Sequence, residues 1–261
     1  MLRLLQQRTK LSGQIGQMKR RHGGVIYVPE RERELVARLT RLSKGQPPAR
    51  AVAALYREIM SGSRAAQGQT PIGLLAASAA HVLPASTACF GACDQFTPKK
   101  SWAELAAGLN SGALSLALLT GQDLGKVATS RRWRREFLTR FAVIGDFTPV
   151  LESNAPIGRR IFIIAPRANG SSVKANRILI LIECKSTPNA IKSLLYSMPD
   201  NVQSLHAEPL SRTESLALVR LAPGRLTDGA RATRALLEAG QTAGVPISIL
   251  GIYPGTEDYG G

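Results

Sequence analysis

Arg8, Lys19, Arg31 and Glu32 are the residues of this 261-residue sequence whose types and spacing point first to chemistry. Arg31 and Glu32 lie in the stretch Ile26 to Leu39, Ile-Tyr-Val-Pro-Glu-Arg-Glu-Arg-Glu-Leu-Val-Ala-Arg-Leu, and a separate basic segment upstream supplies Arg8 and Lys19. Packed together, the two segments would bring three cations and one carboxylate to one pocket. Guanidinium groups grip carboxylates in two-point fashion, and a lysine ammonium meets a single oxygen as a point charge. Ser63 and Gln67 stand one helical turn apart further along the chain. The Glu-Arg-Glu-Arg-Glu run is also the pattern of a solvated helix face, and spacing alone leaves both readings open.

Three helices are needed to position these groups. Residues 2 to 21 place Leu4, Leu5, Leu11, Ile15 and Met18 at helical spacing, which predicts an apolar stripe. Gly13 and Gly16 weaken this helix by about 1 kcal/mol each relative to alanine, so packing must support it. Pro29 suits a first helical turn, Glu30, Glu32 and Glu34 suit its positive end, and Leu35, Val36, Leu39 and Leu42 form the stripe of a helix from Pro29 to Ser43. A third helix, Ala49 to Gln67, carries Val52, Leu55, Tyr56, Ile59 and Met60 on one side. Three helices in so short a span make a small core, and burial is expected to require a second subunit.

The charge is lopsided. The formal net charge is +16, and residues 1 to 70 hold fourteen Lys/Arg against four Glu. Such a field attracts nucleic acid, an acidic surface or a small polycarboxylate. Arg131-Arg132-Trp133-Arg134-Arg135 is the densest basic run and could contact phosphates and stack on a base. No recognised nucleic-acid fold surrounds it, so it is read as a solvated helix end and nucleic acid is not an expected partner. Cys89, Cys93 and Cys184 cannot make a disulfide framework, and Cys-x3-Cys without a nearby histidine is a poor zinc signal. No metal and no cofactor are expected. No stretch has the roughly 18 apolar residues of a membrane span, and the N-terminus lacks a signal-peptide pattern, so a cytoplasmic location is expected.

Arg8, Lys19, the Pro-Glu-Arg-Glu of 29 to 32 and Leu-Tyr-Arg-Glu-Ile-Met-Ser-Gly-Ser-Arg-Ala-Ala-Gln at 55 to 67 resemble the helical chorismate mutase domain that opens the bifunctional chorismate mutase/prephenate dehydratase family, the P-protein of phenylalanine synthesis. The resemblance implies that Arg8 and Arg31 hold the substrate carboxylates, Lys19 and Gln67 the ether oxygen, and Glu32 the ring hydroxyl, with Ser63 beside them. It also implies an isomerase that converts chorismate to prephenate in an intertwined dimer. The family's first helix begins well upstream of the point that Met1 occupies and carries an arginine that reaches into the partner's site. Val28 stands where the family has a polar residue.

Beyond the linker Gly68-Gln69-Thr70-Pro71, Ile72 to Leu75 and Leu114 to Leu119 read as strands, with Trp102 to Leu109 as a helix and Ala76 to Cys89 as a small-residue helical segment. Thr139-Arg140-Phe141 looks like the closing motif of the prephenate dehydratase domain. The family's glycine-rich loop reads Ala76 to His81 here, and its Glu-Asn-Ser element reads Thr120-Gly121-Gln122-Asp123, so dehydratase activity is expected to be lost and Thr139 to be structural. From Asn176 the order is strand, helix, strand, strand, helix, strand: Ile178 to Cys184, Ala190 to Ser197, Val202 to Pro209, Ser215 to Leu221, Ala230 to Ala239 and Ile247 to Ile252. That order predicts a four-stranded antiparallel sheet with two helices on one face. With Thr187 to Ile191 and the ending Ile249 to Pro254, it resembles the ACT regulatory domain, where phenylalanine binds between two copies. Asn189, Ala190, Ile191, His206, Glu208 and Pro209 then become the candidate effector site.

The resemblance therefore implies a multidomain chain. It comprises an all-α helical chorismate mutase domain (1–68), a truncated α/β dehydratase-like lobe (69–147), a connector (148–175) and an α+β ferredoxin-like ACT domain (176–256). The implied partners are chorismate and prephenate, a phenylalanine-like amino acid, and a second copy of the chain. The competing expectation is a non-catalytic regulatory or binding protein built on the ACT domain.

Overall fold

The computed structural model describes residues 1–22, 27–69, 71–148, 156–167, 174–183, 193–194, 202–221 and 227–253. The chain divides into two compact units, Met1–Ala117 and one beginning at Leu118.

The first unit opens with three helices: α1 (Leu2–His22), α2 (Pro29–Ser43) and α3 (Ala49–Ala66). Their bounds agree with the periodicity to within a residue. Helix α3 packs against both α1 and α2 and buries Val52, Met60, Ser61, Ser63 and Arg64. The apolar stripe expected of α1 is not its buried face. Leu4, Leu11, Ile15 and Met18 are exposed, whereas Ser12 and Gly16 are buried. Small residues at this crossing let the backbones approach: a Cβ on Gly16 would fall 2.4 Å from the Gln67 carbonyl oxygen.

An α/β segment follows. The strand β1 (Ile72–Leu75) leads through a 3-10 turn into α4 (Ala79–Phe90), as the small-residue run predicts. Strand β2 (Phe96–Lys99) pairs with β1 in parallel, Ile72 opposite Phe96. The sequence hides β2 because Pro98 interrupts it; proline cannot donate to a ladder and is confined to edge strands. Helix α5 (Trp102–Ser111) starts at Ser101, whose hydroxyl accepts from the Glu104 amide, and stops at Gly112, whose φ of 74° a residue with a Cβ adopts only with strain.

Strand β3 (Leu116–Thr120) is buried throughout and runs into α6 (Gly121–Thr129), which the sequence reading did not anticipate. Thr120 caps α6 by accepting from the Asp123 amide at 3.1 Å. Its hydroxyl also donates to the Asp123 carboxylate at 2.8 Å. Thr120→Ala is expected to cost about 1 kcal/mol, read as a lower urea midpoint without a change in slope.

The second unit continues with α7 (Arg131–Arg140), β4 (Phe141–Phe147), β5 (Ile161–Pro166), β6 (Lys174–Ala175), β7 (Arg177–Glu183), β8 (Val202–Pro209), β9 (Glu214–Leu221), β10 (Thr227–Asp228), α8 (Gly229–Thr242) and β11 (Ile247–Tyr253). Strands β11, β7, β9 and β8 lie side by side in that order, all antiparallel. This is the sheet expected from the strand-helix alternation. Of its first expected helix, only Ser193 and Leu194 fall among the described residues, and they are helical. Ile178, Ile180 and Ile182 of β7 and Ala217, Val219 and Leu221 of β9 form one buried face with Leu236 and Ala239 of α8. The sheet extends further. Strand β4 joins β11 in parallel at Val143 and Gly251, and β5 pairs with β4 antiparallel. The apolar run Ile161 to Ala165, read from sequence as part of a connector, is thus a strand with both a ladder partner and a buried face.

At the heart of this unit sits a charged cluster. Asp146 of β4 is buried and accepts from Arg177 of β7 at 2.8 and 3.1 Å and from Arg160 Nε at 2.6 Å. The buried Tyr253 phenol lies nearby; burial first, and then the Asp146 charge, push its ionisation well above the usual range.

Candidate active site

The three helices assemble the residues that spacing singled out. Arg8 of α1 reaches α3, where its Nε donates to Ser63 Oγ at 3.1 Å. Ser63 is buried, and its hydroxyl donates in turn to the Ile59 carbonyl at 2.8 Å. Gln67, just past the end of α3, donates through Nε2 to the Ser63 carbonyl at 3.2 Å. Its Oε1 is buried without a hydrogen-bond partner among the described residues.

Arg31 and Glu32 both act electrostatically on Lys19. Burial lowers the Lys19 pKa, the Arg31 cation lowers it further, and Glu32 opposes both. Burial likewise raises the Glu32 pKa against the pull of Arg64 and Lys19. Val28, which precedes α2, is exposed and offers no polar side chain. Three cations and one carboxylate thus line α1 and α2 around the end of α3, with an amide and a hydroxyl beside them. The set can grip a small dianion and place donors against an oxygen on which charge develops.

Arg64 is a buried cation of this cluster that spacing does not single out. It is 2% exposed, donates to the Glu32 carboxylate through Nη1, and pairs with Asp94 at 2.8 Å. Met60, Ser63, Arg64 and Gln67 fall at i, i+3, i+4 and i+7, so helical periodicity already places Arg64 on the inward face.

The other sequence candidates occupy different places. Thr139 donates back to the Arg135 and Glu136 carbonyls at 2.9 and 3.1 Å, Arg140 is exposed, and Phe141 is buried against Phe137 with ring centroids 6.3 Å apart. Together they lie where α7 passes into β4. In the basic run, Arg134 is paired with Glu183 at 2.8 Å and with Glu214, and Arg132 stacks on Trp133 with 4.4 Å to the ring centroid. The run opens α7, where cations oppose the helix dipole and the two glutamates offset them. Glu208 accepts the backbone N–H groups of Ile157 and Gly158 at 2.5 and 2.7 Å, and His206 Nε2 lies 3.7 Å from it on the surface. Pro209 ends β8. Asn189, Ala190 and Ile191 lie outside the described residues. Among the described residues no group of His, Cys, Asp and Glu could hold a metal, and no helix is long and apolar enough to cross a membrane.

The arrangement is an all-α cluster of cations, a carboxylate, an amide and a hydroxyl, carried ahead of α/β segments. Residues 1–68 match the family model for chorismate mutase type II. The chain is similar to curated bifunctional chorismate mutase/prephenate dehydratases. It is 36% identical over 101 residues to that of Aquifex aeolicus (strain VF5), covering 37% of this chain and 28% of the relative. It is 36% identical over 90 residues to that of Neisseria gonorrhoeae (strain ATCC 700825 / FA 1090), covering 34% of this chain and 24% of the relative. The aligned part thus spans about a quarter of each curated relative. Among solved structures, prephenate dehydratase from Streptococcus mutans superposes with a TM-score of 0.42 and 12% identity, covering 72% of this chain and 99% of that one.

Proposed function

We propose that the helical site rearranges chorismate to prephenate, as a chorismate mutase of aromatic amino acid biosynthesis. The observation that carries this reading is the docking of Arg8 on Ser63 beside the Lys19, Arg31 and Glu32 group, on the region that matches the chorismate mutase family. The rearrangement is intramolecular: a carbon–oxygen bond breaks as a carbon–carbon bond forms, so no nucleophile is needed. Arg8 and Arg31 hold the two carboxylates and keep the dianion in its compact reactive shape. Lys19, with the second amide N–H of Gln67, faces the ether oxygen and stabilises the charge that builds there. Glu32 accepts the ring hydroxyl.

The remaining assignments are part of the same reading. Residues 69–147 are a partial dehydratase-like region without dehydratase activity, and 148–175, which include strands β5 and β6, lead from it to an ACT-like regulatory region over 176–256. The β11-β7-β9-β8 order supports that last assignment. A phenylalanine-like amino acid is its effector, with Asn189, Ala190, Ile191, His206 and Pro209 as candidate contacts and Glu208 already engaged by backbone amides. The exposed Leu4, Leu11, Ile15 and Met18 of α1 support a dimer. A cytoplasmic location completes the reading.

The test is chorismate consumption by the purified chain, with the product identified and Arg31→Ala run alongside. Prephenate alone is expected, lost in the variant while the circular dichroism spectrum is unchanged. Phenylpyruvate would restore the dehydratase to the second region. No turnover would move the assignment to a non-catalytic ACT-containing regulatory protein.

A further inference from the structure

Helix α3 carries a second row of polar contacts beside the one that meets Arg8. Glu58, Ser61 and Arg64 follow at three-residue intervals, and all three bind the loop that succeeds α4. Glu58 Oε2 accepts the Ala92 amide at 2.9 Å, and Ser61 Oγ accepts the Cys93 amide at 3.0 Å while donating to Asp94 Oδ2 at 2.6 Å. Arg64 donates to the Phe90 carbonyl at 2.5 Å and to both oxygens of Asp94, at 3.3 Å from Nε and 2.8 Å from Nη2. Its cation also lies 5.4 Å from the ring centroid of Tyr27, just ahead of α2. Gly91 makes the close approach feasible: its φ is 105°, and a Cβ there would stand 2.7 Å from that of Ser61.

The remaining arm of Arg64 goes to Glu32 Oε1. Burial works against the Arg64 charge, but the bonds to Asp94 and Glu32 outweigh it and raise its pKa. One guanidinium therefore holds two carboxylates, Glu32 within the mutase region and Asp94 outside it. Arg64 uses one oxygen of Glu32, which leaves Oε2 of the same carboxylate to take a further donor.

We propose that Arg64 is a positioning residue for the mutase site, and that the loop Gly91–Asp94, downstream of the mutase region, sets where Glu32 stands by anchoring Arg64. The proposal rests on the mutase reading. Its physical basis is a guanidinium removed from water, whose fork orients each partner in plane and cannot be left with one arm unmatched without cost. Helices α1 to α3 then do not form a self-contained site, because the carboxylate that meets the ring hydroxyl is located by a residue at position 94.

The charged groups acting on Glu32 are Arg64 from α3, Asp94 from the loop and Lys19 from α1, and Glu32 in turn acts on the Tyr27 phenol ahead of α2; on Glu32's own helix, Arg31 acts on Lys19 and Arg33 on Tyr27. Burial raises the Glu32 carboxyl, Arg64 lowers it and Asp94 raises it. Removing either partner therefore moves it in opposite directions. In the full chain, Asp94→Asn is expected to shift the acid limb of kcat/KM for chorismate to lower pH, and Arg64→Gln to higher pH. Both should lower kcat/KM at neutral pH by about tenfold, as small misplacements in positioned sites do.

A carboxyl carbon NMR titration of Glu32, assigned with Glu32→Gln, follows the same shifts without turnover. Opposite shifts in that titration uphold the coupling even in a chain that does not consume chorismate, an outcome that overturns only the mutase reading. Shifts absent from both profiles in folded variants, or in the same direction, overturn the coupling. Should Arg64→Gln not fold, a Glu32 titration in Asp94→Asn that matches the parent is sufficient to overturn it.

Discussion

Asp146→Asn is expected to destabilise the protein by about 3–5 kcal/mol, the cost of leaving buried charge without its partner. The side chain is fully buried and is the shared acceptor for Arg160 and Arg177, which are 6% and 4% exposed. The amide keeps the shape and one acceptor oxygen but removes the only negative charge that this trio contains. Two guanidiniums are then held out of water against each other. The three residues come from β4, from β7 and from the turn that enters β5, so the damage falls on strands that are remote in sequence. The expected result is a large drop in denaturant midpoint by far-UV circular dichroism. Asp146→Asn combined with Arg160→Met and Arg177→Met should recover much of it, since apolar replacement of a whole buried ion cluster is often neutral. A midpoint for the single variant within about 1 kcal/mol of the parent would mean that water or another group already serves these arginines.

That cluster marks the limit of what the sequence shows. Strands β7, β9 and β11 are legible because each is a run of apolar and β-branched residues between turn-forming segments, and the pattern repeats within a short window. Nothing local distinguishes Asp146, Arg160 or Arg177 from surface charges, because their meaning arises only when distant strands align. The site was more legible, since Arg8, Lys19, Arg31 and Glu32 sit on helices whose bounds the periodicity predicts. Arg64 was hidden by its type rather than its position, as a lone helical arginine reads as solvated. The α1 face was misread for the opposite reason. Leucine, isoleucine and methionine outweighed Ser12 and Gly16 in the pattern, yet close helix approach needs small residues, and the larger ones are left exposed on this unit.

The same crossing supplies a pair of alanine substitutions with opposite expected signs. Gly13 and Gly16 both lie within α1, where alanine favours the helix by about 1 kcal/mol. At Gly13 the new Cβ would meet the Ala66 carbonyl oxygen at 3.7 Å, an ordinary contact, so Gly13→Ala should stabilise by up to about that amount. At Gly16 it would fall 2.4 Å from the Gln67 oxygen, 2.5 Å from its Cα and 2.8 Å from its carbonyl carbon. Those are backbone atoms at the end of α3 and cannot rotate away; overpacking of this kind costs about 1–3 kcal/mol. Gly16→Ala should therefore lower stability despite its better helix propensity. Its effect on chemistry should be larger. Helix α1 must move off α3, taking Arg8 away from Ser63, and a displacement of about 1 Å can reduce turnover about 100-fold in a positioned site. Arg20, which donates to the Gln67 carbonyl at 2.5 Å, would lose its contact in the same movement. Unfolding curves and chorismate turnover on both variants decide the matter: equal behaviour of the two alanines would show that the α1–α3 approach is looser than these distances and that the site does not depend on it.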